Sequence, residues 1–467
     1  MFDSRDISIQ QSRIKILNEN PVLKKDYILY WMQQSQRAEY NHALEYAVGI
    51  ANYYKLPVMV LFILMDDFPE ANLRHYTFMM EGLSGLKQAL DRRGIGMTVQ
   101  KGDREPILGE AVKKAAAVVC DRGYLKHQRL WRKMLSQTVP CRVIEVESDV
   151  IVPVEVVSPK AQYGAYTLRP KINRLIDDYL IDVEEIPVKK SMPAIKMKGI
   201  DARDYNKVLK TLHAGKMGNN VPPVSKMFYG GTQEAKSRFA DFLKSGAQGY
   251  AKNSNQPQTD DVSHMGPYLH FGQISPLYLV LTMQRAKGIS AENKSAFLEQ
   301  LIVRRELSFN FVYYAAQYDE FNVLPDWARE TLMAHASDRR KHMYSIKQLE
   351  TAKTCDPYWN AAMKEMMHTG YMHNYMRMYW AKKVIEWTPS PEKAFKTLLY
   401  LNNKYFLDGR DPNSYAGIGW AFGLHDRAWR ERPVFGKVRY MAATGLERKC
   451  DIKAYVEKVE ARIREIN

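Results

Sequence analysis

Residues 27–64, YILYWMQQSQRAEYNHALEYAVGIANYYKLPVMVLFIL, decide the fold. The stretch opens on the apolar run YILYWM, passes through the amphipathic ALEYAVGIANYYK and closes on a second apolar run, LPVMVLFIL. Two short apolar runs joined by a helix-length amphipathic segment read as a strand, a crossover helix and a parallel strand. The alternation continues outward. A second helical period runs through MMEGLSGLKQALDRRG, and further strand candidates stand at GMTVQKG (96–102), AAAVVCD (115–121) and CRVIEVE (141–147). The pattern predicts an α/β domain, a parallel sheet covered by helices, over residues 26–185, with residues 1–25 as an N-terminal extension.

Residues 186–235 read as a connection, because IPVKKSMPAIKMKG and GKMGNNVPPVSK are rich in Pro, Gly and Lys and have weak periodicity. From residue 236 to 467 the apolar spacing is helical, with aromatic and Met residues dense, which predicts an all-α second domain. Neither a GxxxxGK[ST] phosphate loop nor a GxGxxG after the first strand is present, so the α/β domain by itself names no cofactor.

Lys plus Arg number 68 against 52 Asp plus Glu, a formal net charge of +16 that favours a polyanionic partner. With 46% hydrophobic residues the chain has the means to bury large cores, which excludes disorder of the whole. Cys120, Cys141, Cys355 and Cys450 lack the spacing of a zinc or redox motif, and the His residues form no metal constellation. The N-terminus lacks a signal-peptide apolar core, and no run of 18 apolar residues occurs. These features predict a cytoplasmic protein with no membrane segment and no metal.

In MHNYMRMYWAKKVIEW (372–387), Met372, Met376, Trp380, Val384 and Trp387 recur at steps of three or four. Trp380 and Trp387 therefore share a helical face about 10 Å apart along the axis. Indoles so placed either fill a core or relay an electron hole. LNNKYFLDGRDP (401–412) reads as a helix C-terminus followed by a Gly-bounded acidic turn. Ser263 stands where a cap for the next helix would be.

A set of blocks in order carries a resemblance: PYLHFGQIS (267–275), RRELSFNFVYY (304–314), WARETLMAHASDRRKHMYS (327–345), DPYWN (356–360), MHNYMRMYWAKKVIEW, LNNKYFLDGRDPNSYAGIGW (401–420) and HDRAWRERPVFGKVRY (425–440). Together they resemble the FAD-binding domain of class II cyclobutane pyrimidine dimer photolyases, of the photolyase and cryptochrome superfamily. WMQQSQRAEYNHAL (31–44) and YTLRPK (166–171) resemble the Rossmann-like antenna domain of the same class.

The resemblance implies light-dependent DNA repair, in which reduced FAD donates an electron to a pyrimidine dimer flipped out of the duplex. It assigns an electron path to Trp359, Trp380 and Trp387 and places Asn402 opposite flavin N5, where a neutral amide tunes the redox state. It implies flavin contacts from Tyr250, Val262, Ser263, His264, Met265, Gly266, Arg377 and Asp408, with Asp426 in a matching block. Gly266 stands where the family usually has Ser. DNA contacts fall on Asn255, Arg304, Met378, Trp420 and Arg439, with Arg430, Arg432 and Lys437 facing the phosphate backbone. The partners implied are DNA containing pyrimidine dimers and an antenna chromophore, deazaflavin or folate; the chain is expected to act as a monomer.

Four departures fall on positions the resemblance places in the substrate pocket. Gln300 replaces a Glu that would touch the dimer, Phe309 replaces Asp, Asn374 replaces Gly, and Ser254 takes the place of an Arg. Gln donates a hydrogen bond but delivers no proton. These departures leave a second expectation open, a divergent flavoprotein acting as a blue-light photoreceptor or on another substrate.

Overall fold

The computed structural model describes residues 9–192, 199–212 and 221–466. Its N-terminal part is built on a six-stranded sheet: β1 (Ile14–Ile16), β2 (Tyr27–Trp31), β3 (Val58–Leu64), β4 (Gly96–Lys101), β5 (Ala115–Asp121) and β6 (Arg142–Val146). The spatial order is β1-β6-β5-β2-β3-β4. Strands β2 to β6 pair in parallel, and β1 pairs antiparallel with β6, Ile14 opposite Val146.

Strands β2, β3 and β5 are buried along their whole length, which explains why they appear in sequence as continuous apolar runs. Alternate residues serve opposite faces. Ile28, Tyr30, Val60 and Phe62 pack under α1 (His42–Tyr54) and α2 (Leu73–Arg92). Leu29, Trp31, Leu61 and Ile63 pack on the other face with α3 (Arg104–Val112) and α4 (Lys126–Thr138). From β2 the chain moves outward to β3 and β4, then returns to lay β5 on the other side. The order therefore reverses between β2 and β5, and loops diverge there to open a crevice at the strands' carboxyl ends.

Two features depart from the sequence reading. Residues 14–16 lie in the expected extension yet form an edge strand; three residues, two of them exposed, are too short for an alternating signal. Part of the expected connection belongs to the α/β domain: Ile186 and Val188 pack on its core, Ile200 bridges Val99 and helix Tyr205–Thr211 lies along α2. Residues 193–198 and 213–220 of that connection, and 1–8 of the extension, lie outside the described residues.

The remainder is helical, as its spacing predicts. The helices that carry the site are α5 (Arg305–Tyr314), α6 (Pro357–Thr369), α7 (Asn374–Trp387), α8 (Pro391–Tyr405), α9 (Pro412–Ala421) and α10 (Ile452–Ile466). Pro leads α6, α8 and α9, where its missing N–H costs nothing, and Asp356, Ser390 and Asp411 cap them by accepting from backbone N–H groups.

The start of α2 grips this helical part. Arg74, 1% exposed, donates to the carbonyls of Met366, Met367, Tyr405 and Pro222. Three of these carbonyls end α6 and α8, where C=O groups run short of helical partners and the helix dipole favours a cation; Met366 also accepts from the Gly370 N–H. Asn72 donates to Lys404 O at 2.8 Å, and His75 Nε2 lies 2.9 Å from Phe406 O. The α/β domain thereby fixes the end of α8 and the loop after it.

Candidate active site

Three indoles meet in the helical core. Trp359 on α6 donates from Nε1 to the Trp380 carbonyl at 3.0 Å, and its ring meets Trp387 edge-on at 5.5 Å. Trp380 and Trp387 share a face of α7, and the third ring enters from α6. Asp356 holds that insertion: it accepts from the Tyr358 and Trp359 N–H groups at 3.0 Å and from the Tyr379 hydroxyl. All three indoles are buried, and Trp380 Nε1 has no hydrogen-bond partner among the described residues.

Beside Trp380 lies Phe406, 6.1 Å away, in the loop that leaves α8. Asn402 and Asn403 occupy the last turn of α8, and Asp408 follows. Arg377, one turn before Trp380 on α7, donates to both Asp408 oxygens at 2.9 and 3.1 Å and lies over the Phe406 ring at 3.9 Å. This pair remains partly open to solvent, at 24% and 17% side-chain exposure. Asn402 Nδ2 donates to Asn403 Oδ1 at 2.9 Å, while Asn402 Oδ1 has no partner among the described residues.

The segment 262–266 closes on this loop. A Cβ on Gly266 would stand 2.7 Å from Asp408 Oδ2, so the absence of a side chain lets the segment approach the carboxylate. That accounts for Gly where the resemblance expects Ser. The helix that follows begins at Gly266, after Met265, without a side-chain cap, so Ser263 is not the cap that its position suggested. Ser263 and Val262 are half-buried, and the Ser263 hydroxyl has no protein partner among the described residues. His264 holds a left-handed φ of 55°, rare outside Gly, and its ring meets Tyr371 edge-on at 4.7 Å. Its Nδ1 is buried without a partner, and Nε2 only approaches Asp260 at 3.5 Å. The Tyr250 ring packs on Phe242 and Phe297, and burial pushes its hydroxyl up to about 12.

A second group of predicted residues lines the open face. Gln300 and Arg304 are exposed on the π-helical turn Glu299–Arg304 that leads into α5. Such widened turns re-aim side chains and recur at functional sites. Arg304 donates to Glu299 at 3.2 Å, and Glu299 in turn binds Arg169 of the YTLRPK block. Asn374 is exposed in the first turn of α7, one turn from Arg377 and the half-buried Met378. Trp420, at the end of α9, lies between two cations, with Lys382 Nζ at 5.2 Å and Arg439 at 5.6 Å from its ring.

Arg439 also covers Trp429, at 5.0 Å, whose indole lies 3.3 Å from the Asp426 carboxylate. Asp426 thus organises the loop that presents Arg430, Arg432 and Lys437 to solvent. Asn255 is exposed and Ser254 half-buried in the turn after helix Tyr250–Asn253.

Phe309 does not join them. It is buried between the two domains, edge-on to Tyr124 at 4.7 Å and beneath the Arg305 guanidinium at 4.4 Å. It lines a cavity of about 150 Å³ at the carboxyl ends of β2, β3 and β5, shared with Trp31, His127, Trp131 and Arg410. This corrects the expectation that groups Phe309 with Gln300 and Asn374: its ring is buried against Tyr124 and lines the cavity at the sheet, whereas those two side chains are exposed.

Sequence reading also missed Asp356, Arg74 and Lys382. Lys382 is fully buried on α7, bound to the Ala421 carbonyl, and desolvation brings its amine down to about 7. In sequence it is one of two adjacent lysines, without any sign that it points inward.

A family model described as DNA photolyase matches residues 28–192. The chain is 46% identical over 452 residues, 97% of its length and 98% of the relative's, to a deoxyribodipyrimidine photo-lyase of Methanothermobacter thermautotrophicus. Among solved structures it is similar to a bacterial class III photolyase from Agrobacterium tumefaciens, with TM-score 0.74, 19% identity, and 94% and 87% of the two chains covered. An archaeal photolyase from Sulfolobus tokodaii with two FAD molecules matches at TM-score 0.68 and 15% identity, over 93% and 89%.

Proposed function

Because the chain belongs to the DNA photolyase family, we propose that it is a light-dependent repair enzyme, of the class II type, that uses FAD to split cyclobutane pyrimidine dimers in DNA. One arrangement carries the reading: a buried three-indole path ends beside the Arg377–Asp408 pair and the free Asn402 carbonyl.

The residues present fit a flavin dinucleotide. Trp380 Nε1 and His264 Nδ1 are buried without partners, the Ser263 and Tyr250 hydroxyls are unengaged among the described residues, and Gly266 leaves the backbone uncovered. FAD bound here would supply light-driven electron-transfer chemistry to the dimer. Arg377 and Asp408 hold the flavin ring in register, the Arg377 cation stabilising negative charge on it. Val262, Ser263, His264, Met265 and Gly266, with Tyr250, offer donors to the diphosphate and sugars. Trp387, Trp359 and Trp380 conduct an electron inward from the protein's exterior to keep the donor reduced.

On the DNA side, Arg430, Arg432, Lys437, Arg439 and Arg304 neutralise backbone phosphates, while Asn255 contacts the strand by hydrogen bonding. Trp420 and Met378 seat the apolar face of the flipped dimer, and Gln300 donates a hydrogen bond to it. The cavity at the strand ends takes a planar antenna chromophore, deazaflavin or folate, in keeping with its position at the sheet's switch point and its aromatic lining. Residues 26–185 then serve as antenna domain and 236–467 as catalytic domain, joined by 186–235, and one chain suffices as the working unit. No helix among the described residues is long and apolar enough to cross a membrane.

Blue-light turnover of a thymine dimer in a short oligonucleotide tests the proposal. Several turnovers per chain, absent in the dark, are expected. Flavin reduction by light without any dimer splitting would instead favour a divergent photoreceptor or an enzyme on another substrate, the reading that Gln300, Asn374 and Ser254 support while Phe309 lies elsewhere. Gln300→Glu is the companion variant: a gain in repair places this side chain at the dimer.

A further inference from the structure

Asn402 sits at one end of a hydrogen-bond chain that begins in the other domain. Glu70, in the loop before α2, accepts from Asn403 Nδ2. Asn403 Oδ1 accepts from the Arg410 backbone N–H at 3.0 Å and from Asn402 Nδ2 at 2.9 Å. Arg410, itself buried, donates to the Asn403 carbonyl at 2.9 Å and to the Glu70 carbonyl at 3.3 Å, clamping the two segments together.

An amide's two ends are distinguished only by their neighbours. Here the neighbours leave no choice. A peptide N–H only donates and an ionised carboxylate only accepts, so the Asn403 amide has one orientation, oxygen toward Arg410 and nitrogen toward Glu70. That orientation propagates: Asn402 must turn its nitrogen to Asn403 Oδ1, and its oxygen is left as a free acceptor.

We infer that Asn403, anchored by Glu70 across the domain boundary, is the positioning residue that makes Asn402 present its carbonyl oxygen to the flavin. The inference rests on the flavin reading above. A carbonyl oxygen accepts from flavin N5 only when N5 bears a proton, that is, in the reduced ring, and it opposes the N5 lone pair of the oxidised ring. A freely turning amide would offer its nitrogen to oxidised N5 and erase this preference. The chain of contacts therefore raises the potential for flavin reduction, and its loss lowers it.

The test is redox titration of bound flavin at pH 8 in the full chain, with flavin content and thermal stability measured alongside. Asn403→Leu, which changes no charge, is expected to lower the midpoint by about 30 mV or more, a tenfold change for a two-electron couple. Glu70→Ala is expected to lower it as well, by less, and provides the reading should the first variant not fold. Glu70→Gln keeps an acceptor for Asn403 Nδ2 and is expected to leave the midpoint unmoved. If Glu70 acted only through its negative charge, both Glu70 variants would raise the midpoint, and either rise overturns the inference. An unmoved midpoint in Asn403→Leu overturns it too. A wild-type chain that binds no flavin defeats the functional reading instead, so the two failures are separable.

Discussion

The cavity at the ends of β2, β3 and β5 and the side-chain cluster that gathers α7, the end of α8 and segment 262–266 around Arg377 and Asp408 are two sites made by different means. The cavity follows from topology: once the strand order reverses between β2 and β5, loops diverge and a crevice opens wherever side chains do not fill it. The cluster follows from exceptions to regular structure, namely the left-handed His264 and the close approach of Gly266 to Asp408. Yet one loop serves both. Asn402 and Asp408 belong to the cluster while Arg410 and Asp411 line the cavity, so residues 402–411 are where the two sites are joined.

The strongest way to break that junction is at Arg74. Replacing it with Met takes a donor from the carbonyls of Met366, Met367, Tyr405 and Pro222, of which Met366 keeps the Gly370 N–H, and a loss of about 3–5 kcal/mol is expected, read as the midpoint of urea unfolding. A wild-type midpoint would mean that the clasp is decorative. Phe309→Asp sharpens the assignment of that residue to the cavity side. Restoring the acid that the resemblance expects should destabilise the protein by about 3–4 kcal/mol, because the ring sits buried against Tyr124, and should add nothing to repair. Improved repair in a stable variant would return Phe309 to the substrate side.

Asp408→Ala separates the cluster from the cavity. It leaves Arg377 without its partner, and at least tenfold weaker flavin binding is expected by fluorescence titration, with the cavity untouched. The smallest effect concerns Glu306 on α5, buried where the domains meet. Burial raises its carboxyl to about 7, although it accepts from the Ile151 and Val152 N–H groups. The folded chain therefore keeps a proton that the unfolded chain, titrating near 4.5, gives up, so this group's contribution to stability falls as pH rises from 4.5 to 7. Glu306→Gln lacks that slope. Its melting temperature relative to wild type should climb between pH 5 and pH 8, by the equivalent of about 1–3 kcal/mol, and a constant difference would refute the buried-acid account.

Periodic signals carried most of the fold. Strands β2, β3 and β5 are apolar runs because both their faces are covered, and α7 shows its spacing because Trp380, Val384 and Trp387 pack in the core with α6, α8 and α9. β1 was invisible for want of length. In the candidate site, Trp380 and Trp387 share one helix, so their relation was legible; Trp359 reaches them only through α6 packing, and the resemblance alone pointed to it. Phe309 was misplaced because sequence gives a helix position but not which of two neighbours that side faces. Glu70, Asn403 and Arg410 escaped notice for a similar reason: their roles arise from contacts more than 300 residues apart in the chain.

The central claim is tested most directly by illuminating the purified, flavin-loaded chain with an external electron donor and following the flavin absorption in wild type and Trp359→Phe. The account predicts one FAD per chain, photoreduced in wild type and at least tenfold more slowly in the variant. Equal rates in the two proteins, or a wild-type chain that takes up no FAD, would contradict it.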